Sequence, residues 1–206
     1  VSRLLVIGTR NHKKLLELME LLAPHGFELK SLADILEASE IDESGDTFAA
    51  NAALKATVQA RHLQQWVLGE DSGLCVDALG GAPGVISARF SGPSATDAAN
   101  NALLLEKLQD VPLEKRTAHY VCHATLSDAS GTIRAESEDY CRGRILLAES
   151  GRGGFGYDPL FEVVEYHQTF GELNPAVKSV LSHRARAIRA IVRQILALVR
   201  DGKWPQ

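Results

Sequence analysis

Glu70 and Asp71 stand side by side, behind the short apolar run Trp66-Val67-Leu68 and just ahead of Ser72-Gly73. A carboxylate that leaves water must be paired or must coordinate a metal. Two of them at the end of a buried strand therefore form a candidate reactive centre. Side chains alternate faces along a strand, so only one of the two can point fully into a given cleft unless the backbone turns. Ser72-Gly73 predicts that turn. An acidic turn facing water is the competing reading, and the rest of the chain has to decide between them.

Three groups of cations are placed to meet an anion. Residues 4–7 predict a buried strand that ends at Gly8, and Leu15, Leu18, Met19 and Leu22 predict an amphipathic helix closed by Pro24 and Gly26. Thr9, Arg10 and Asn11 join the two. A strand feeding a helix N-terminus through short polar residues suits a phosphate, because free N–H groups and the helix dipole both favour an anion there. Lys14 in the first turn opposes the dipole unless an anion is near. The ordinary alternative is a cap at Thr9 or Asn11 with Lys14 paired to Glu17 or Glu20. A second helix is predicted over residues 47–65. Its Thr47, Asn51 and Lys55 fall at i, i+4 and i+8, forming a polar line beside Phe48, Ala52, Ala53, Ala56 and Val58. That pattern predicts a helix face against a polar cleft. Lys178, His183 and Arg184 gather around the start of the last helix. It is predicted to begin at Ser182 and carries the stripe Ala187, Ile188, Ile191, Val192, Ile195, Leu198 and Val199. Arg186, Arg189 and Arg193 read as its solvated face.

The remaining elements must hold these groups. Residues 27–29 predict a strand. Residues 31–46 are polar and turn-rich, with Glu37, Glu40, Asp42, Glu43 and Asp46 mostly solvated. Residues 80–92 and 151–159 are glycine-dense loops, where backbone can approach a ligand closely. The second carries Phe155, Gly156, Tyr157 and Asp158, and an exposed aromatic ring there can stack on a base. A helix is predicted over residues 97–109. Strands over residues 118–126 and 132–141 form a hairpin around Asp128-Ala129-Ser130-Gly131, with further strand character at residues 143–147 and 160–161. Together the cations suit a polyphosphate and the glycine loops suit a nucleobase. Glu43, Glu70 and Asp71 suit magnesium, which takes oxygen ligands and keeps waters and substrate phosphates. Neither a G-x-x-x-x-G-K-[ST] nor a G-x-G-x-x-G motif is present, so neither a P-loop nor a dinucleotide fold accounts for the pattern.

Bulk properties narrow the class. The chain of 206 residues suits one domain, or two tightly joined lobes, and its 45% hydrophobic residues suffice for a core. A net charge of −4 does not advertise a nucleic-acid partner. The three cysteines, Cys75, Cys122 and Cys141, make no C-x-x-C pair, which fits a reducing cytoplasm. No apolar run approaches ~20 residues, so no membrane span is expected. The first residues show no signal-peptide pattern.

The motifs as a set resemble the inosine triphosphate pyrophosphatase family, the house-cleaning enzymes for dITP, ITP and XTP. The matching blocks are T-R-N-H-K-K at residues 9–14, E-S-G-D-T-F-A-A-N-A-A-L-K-A at 43–56 and E-D-S-G-L-C-V-D-A-L-G-G-A-P-G-V-I-S-A-R-F-S-G at 70–92. They continue with G-F-G-Y-D-P-L-F at 154–161 and K-S-V-L-S-H-R at 178–184. The resemblance implies an α/β fold, with a long curved mixed sheet, flanking helices and two lobes around a nucleotide cleft, formed by residues 1–206 as a single domain. It implies a homodimer and magnesium-dependent conversion of a nucleoside triphosphate to the monophosphate and pyrophosphate. By position, Asp71 resembles the family's catalytic acid and metal ligand, and Glu43 a metal-linked carboxylate. Glu70 and Lys55 join the catalytic group, and Asp71 or Glu70 would position the attacking water. Thr9, Arg10, Asn11, His12, Lys13 and Lys14, with Lys55, would meet the phosphates. Ser72, Phe155, Gly156, Tyr157, Asp158, Lys178, His183 and Arg184 would hold the sugar and base. The family usually has aspartate where this chain has Glu70, and glycine where it has Arg10. Those departures keep two alternatives open: a nucleotide-binding module with weakened catalysis, and a related pyrophosphatase with another base preference.

Overall fold

The strand that carries the two carboxylates does not turn at Ser72-Gly73. In the computed structural model, which describes residues 3–35, 38–39 and 41–204, it runs unbroken from Val67 to Val76. Turn propensity is local, and here burial overrides it. Leu74 and Val76 resume the apolar alternation and are fully buried, and the Leu74 amide donates to Ser87 Oγ at 2.9 Å.

In chain order the elements are β1 (Arg3–Ile7), α1 (His12–Leu22), β2 (Phe27–Ser31), α2 (Phe48–Leu63), β3 (Val67–Val76), α3 (Asp97–Lys107), β4 (Thr117–Ser127), β5 (Ile133–Ile145), β6 (Phe161–Val163), β7 (Gln168–Thr169), α4 (Pro175–Leu181) and α5 (His183–Arg200). The strands form a seven-stranded sheet in the order β2-β1-β3-β4-β5-β6-β7. β1 is parallel to both β2 and β3, whereas β5, β6 and β7 run antiparallel. The mixed sheet with flanking helices is the fold class that the family resemblance implies. Helix α4 and the two-residue strand β7 are elements that the sequence did not predict. The signals of α4 are short: Asn174 as N-cap, accepting from the Ala176 amide at 2.9 Å, and Pro175 in the first turn.

The chain divides into two compact units. The first comprises Val1–Asp71, Cys122–Asp139 and Arg184–Gln206; the second comprises Ser72–Val121 and Tyr140–His183. In the first unit, α1 (Leu18, Leu22) and α5 (Ile188, Ile191, Val192, Ile195) close over Leu5, Ile7, Leu68, Ala124 and Leu126. Helix α2 packs through Ala60 on Val6 and Val67, the opposite side chains of the same strands. Trp66 and Trp204 stack at 4.1 Å and tie the end of the chain to the start of β3. In the second unit, α3 places Leu104 and Leu108 on Leu74, Val76, Tyr120, Phe161 and Phe170. Arg116 is buried there without a carboxylate partner among its hydrogen bonds. It donates instead to the carbonyls of Val111 (2.8 Å), Leu146 (3.1 Å) and Leu108 (2.7 Å).

Gly69 sets how closely α2 approaches β3. A Cβ at that position would lie 2.5 Å from the Ala52 carbonyl oxygen and 2.7 Å from the Ala56 amide nitrogen. Both are helix backbone and cannot swing aside. Gly69→Ala is expected to lower stability by about 1–3 kcal/mol, the usual range for overpacking. Urea unfolding measures this, and an unchanged midpoint would refute the close approach.

Candidate active site

In the first unit, continuation of β3 sends the two carboxylates to opposite faces. Glu70 points to the side of α1 and α5. It is 1% exposed, and its Oε1 lies 3.1 Å from Lys14 Nζ and 3.7 Å from Arg184 Nη2. Arg184 also pairs with Glu17 through Nη1. Burial alone would push the Glu70 carboxyl up. Lys14, Arg184 and Lys55 outweigh it and hold the group well below the usual carboxylate range. Cys122 lies alongside, its thiol donating to Glu70 Oε2 at 3.4 Å. Burial first, and the Glu70 charge second, push that thiol well up, so it stays protonated.

Asp71 points to the side of α2. Its Oδ1 accepts from Lys55 Nζ at 3.0 Å and its Oδ2 from Asn51 Nδ2 at 3.2 Å. The same ammonium lies 2.8 Å from Glu43 Oε2 and donates to the Glu70 carbonyl at 3.2 Å. Burial pushes the Asp71 carboxyl up, Lys55 and Lys14 pull it down, and the Glu70 charge adds upward. The balance is raised. Lys55 behaves in the mirror sense: burial pulls it down, and the charges of Asp71, Glu70 and Glu43 leave it raised. Two adjacent carboxyls are therefore held in opposite states of readiness. Glu70 is a fixed anion, and Asp71 is the one disposed to take a proton.

Helix α2 supplies this geometry. Thr47 is its N-cap, accepting from the Ala50 amide at 3.1 Å, so the first member of the polar line caps the helix. Asn51 and Lys55, one and two turns on, face Asp71. Sequence reasoning placed Asn51 on this line but did not include it among the site residues. It is buried, and it is the second hydrogen-bond donor to Asp71.

The loop between β1 and α1 is capped from within. Asn11 Oδ1 accepts from the amides of Lys13 (3.0 Å) and Lys14 (3.2 Å), and Thr9 Oγ1 accepts from the Asn11 amide at 3.2 Å. His12 and Lys13 are exposed. Arg10 Nη2 donates to the Ala38 carbonyl at 2.8 Å. Among the described residues only Gln64 and His167 combine a side chain with a positive φ, so Arg10 sits there without the strain a glycine-specific backbone would impose. Asp42 and Asp46 are exposed as expected; Glu37 and Glu40 lie outside the described residues.

The base-side candidates belong to the second unit, except Arg184. Asp158 is buried and accepts from the Phe155 amide at 2.9 Å and from Lys178 Nζ at 2.7 Å. That ammonium lies 5.0 Å from the centroid of the Phe155 ring. The Gly156 amide donates to Asp97 Oδ2 at 3.0 Å. Tyr157 departs from the exposed stacking ring that the loop suggested. It is 3% exposed, and its hydroxyl donates to the Ser87 carbonyl at 2.7 Å. A large ring next to Leu160 and Phe161 gains more from the core than from water. His183 is buried as well, stacked on Tyr120 at 4.6 Å. Ser72 is half-buried on β3.

A divalent cation can be tested against this donor set. Glu43 and Asp71 already converge on one positive centre, the Lys55 ammonium. Among the described residues, no group of three or more His, Cys, Asp or Glu side chains is arranged to hold a metal. Two carboxylates with the remaining positions left to water and phosphate fit magnesium, and do not fit a metal that needs a closed protein cage.

The model of the Ham1 family matches residues 5–194. A dITP/XTP pyrophosphatase of Rhodopirellula baltica is 55% identical, over 96% of this chain and 95% of that one. Among solved structures, a HAM1 protein from Coxiella burnetii superposes with a TM-score of 0.86 at 32% identity, covering 95% of this chain and 98% of the other. A nucleoside-triphosphatase / dITP/XTP pyrophosphatase from Mycobacterium abscessus superposes with 0.75 at 42% identity, covering 92% and 98%.

The Glu70 pairing has a pH signature. A carboxylate whose folded pKa is depressed contributes stability above its unfolded value, about 4.3, and loses it as pH falls further. Glu70→Gln leaves Lys14 and Arg184 short of an anion, and is expected to cost about 3–5 kcal/mol at neutral pH. The gap from wild type should narrow only below about pH 4. Urea melts across a pH series measure it, and a gap already closing at pH 6 would show that Glu70 is not held as a paired anion.

Proposed function

The chain belongs to the Ham1 family, and from that premise we propose that it hydrolyses non-standard purine nucleoside triphosphates, dITP, ITP and XTP, to the monophosphate and pyrophosphate. The observation that carries this reading is the Asp71 carboxylate, raised in pKa, bonded on both oxygens, and sharing the Lys55 ammonium with Glu43. A water oxygen attacks the α-phosphorus. The bond from that phosphorus to the α–β bridging oxygen breaks, and pyrophosphate leaves with the electron pair. The proton lost by the water passes to Asp71. General-base transfer of this kind contributes ~10²–10⁴-fold. Lys14 and Lys55 meet the triphosphate charge, each exchanging a carboxylate partner for phosphate oxygens. Asp71 and Glu43 would hold magnesium, which when bound neutralises charge on phosphate oxygens. Family membership also supports a homodimer working in the cytoplasm on free nucleotides. No helix among the described residues is long and apolar enough to cross a membrane.

Base choice follows from hydrogen-bond sense. ITP and XTP carry an acceptor oxygen at purine position six, where ATP carries a donor amine. A protein donor facing that position matches the oxygen and not the amine. Facing it with an amine leaves buried donors unpaired at about 1–3 kcal/mol each, or roughly tenfold to a hundredfold in specificity. GTP shares the oxygen at position six and must be rejected through its two-amino group, so its margin is expected to be narrower.

Asp71→Asn is expected to cut kcat by at least about a hundredfold while leaving the circular dichroism and melting curve close to wild type. Near-normal turnover would remove Asp71 from the mechanism. Phosphorus NMR of the reaction should show pyrophosphate as the first product, and orthophosphate alone would refute the cleavage site. Steady-state kcat/KM for ITP, XTP, GTP and ATP tests base choice, with equal values for ITP and ATP as the refuting result.

A further inference from the structure

Asn51 is more than a member of the polar line on α2. It is 1% exposed, and both ends of its carboxamide are engaged, each with a different part of the chain. Its Nδ2 donates to Asp71 Oδ2 at 3.2 Å, and its Oδ1 accepts from the Gly45 amide at 2.8 Å. Gly45 is two residues from Glu43, in the segment that leads into α2. The fit there is tight: a Cβ at Gly45 would lie 2.7 Å from Asn51 Oδ1 and 2.8 Å from Ala50 Cβ. Lys55, one turn further along the same helix face, repeats the connection as charge, between Glu43 Oε2 at 2.8 Å and Asp71 Oδ1 at 3.0 Å.

The two bridges differ in what they can keep. Lys55 is a flexible point charge, and its two carboxylate partners are the groups that would hold magnesium. Asn51 is neutral and buried, with its bonds to a backbone amide and to the far oxygen of Asp71. Its amide orientation is set by chemistry: only the oxygen can accept from the Gly45 N–H, so the NH₂ must face the carboxylate.

We propose that Asn51 is a positioning residue that couples the Glu43 segment to Asp71, so that the two carboxylates are presented together to a divalent cation. This rests on the pyrophosphatase reading for its catalytic consequence but not for its metal-binding one. Partners that orient metal-binding carboxylates typically account for 10–100-fold in affinity or activity.

Asn51→Leu removes both bonds while keeping the same branched skeleton of heavy atoms. Asn51→Asp keeps an acceptor for the Gly45 amide and sets a like charge against Asp71. Two quantities are read on wild type and both variants: the magnesium concentration for half-maximal pyrophosphate release, and the dissociation constant for Mn²⁺, followed by loss of the free-ion EPR signal. For Asn51→Leu, half-activation and the Mn²⁺ constant are each expected to rise about tenfold or more. Its kcat should fall about a hundredfold, while the nucleotide KM at saturating magnesium changes little. A residue that matters only for folding would lower the active fraction and leave both metal constants unmoved. For Asn51→Asp the metal constants must also change, in whichever direction the added charge drives them, with the nucleotide KM again little altered. If Asn51→Leu does not fold, Asn51→Asp decides alone. Unchanged metal constants in the folded variant overturn the proposal, whatever happens to kcat. If wild type releases no pyrophosphate, the pyrophosphatase reading fails, and the Mn²⁺ constants still decide this inference.

Discussion

Everything at the candidate site depends on β3 remaining a strand through Glu70 and Asp71. A strand gives adjacent side chains opposite faces, so the chain buries two carboxylates side by side without making them neighbours in function. Each then needs its own compensation, because an unpaired buried charge costs several kcal/mol. Glu70 is answered by Lys14 and Arg184 from α1 and α5, and its carboxyl is driven down. Asp71 is answered by Lys55 and Asn51 from α2, less completely, and its carboxyl stays raised. Environments that push two neighbouring acids apart distinguish a permanent anion from a proton acceptor. That separation supports the proposal that Asp71 takes the proton from water.

The second constraint is the seating of α2. Gly69 leaves no atom between the helix backbone and the strand, two residues before Asp71. Thr47 starts the helix in a register that turns Asn51 and Lys55 toward that strand. Gly45 admits the carboxamide oxygen of Asn51 where any side chain would block it. A cap, two glycines and one amide thus fix the direction of a lysine, and the lysine fixes where the Glu43 and Asp71 oxygens meet.

Much of this was legible before the structure. The helix over α1, the stripe of α5, the β4–β5 hairpin around Asp128 to Gly131, and the line Thr47-Asn51-Lys55 all follow from periodicity and turn chemistry. Two of the failures share one cause, tertiary burial overriding a local signal. Ser72-Gly73 has turn composition, yet Leu74 and Val76 are worth more in the core. Tyr157 lies in a glycine-rich loop that reads as exposed, yet the ring is buried and its hydroxyl has found the Ser87 carbonyl. Asn11 reads equally as a phosphate contact or a cap, and it caps. The ion pairs of Arg184 were not legible, because its partners Glu17 and Glu70 are far away in sequence, and no spacing rule pairs residue 184 with residue 17. Asn174-Pro175 did carry the start of α4, in too short a segment for periodicity to register.

The choice of lysine at position 55 follows from the same electrostatics. A cation is needed between Glu43 and Asp71 whenever they lack another, since two carboxylates converging in a partly buried place repel each other. A guanidinium would supply the charge, but its planar fork would bind both acids rigidly and resist exchange. An ammonium on a four-carbon stem holds them with single bonds. It also keeps a neutral acceptor, the Glu70 carbonyl at 3.2 Å, that does not depend on either acid. Were the two carboxylates to hold a divalent cation, the ammonium would still keep the Glu70 carbonyl as a partner. The raised Lys55 pKa fits that role, because the group remains charged throughout.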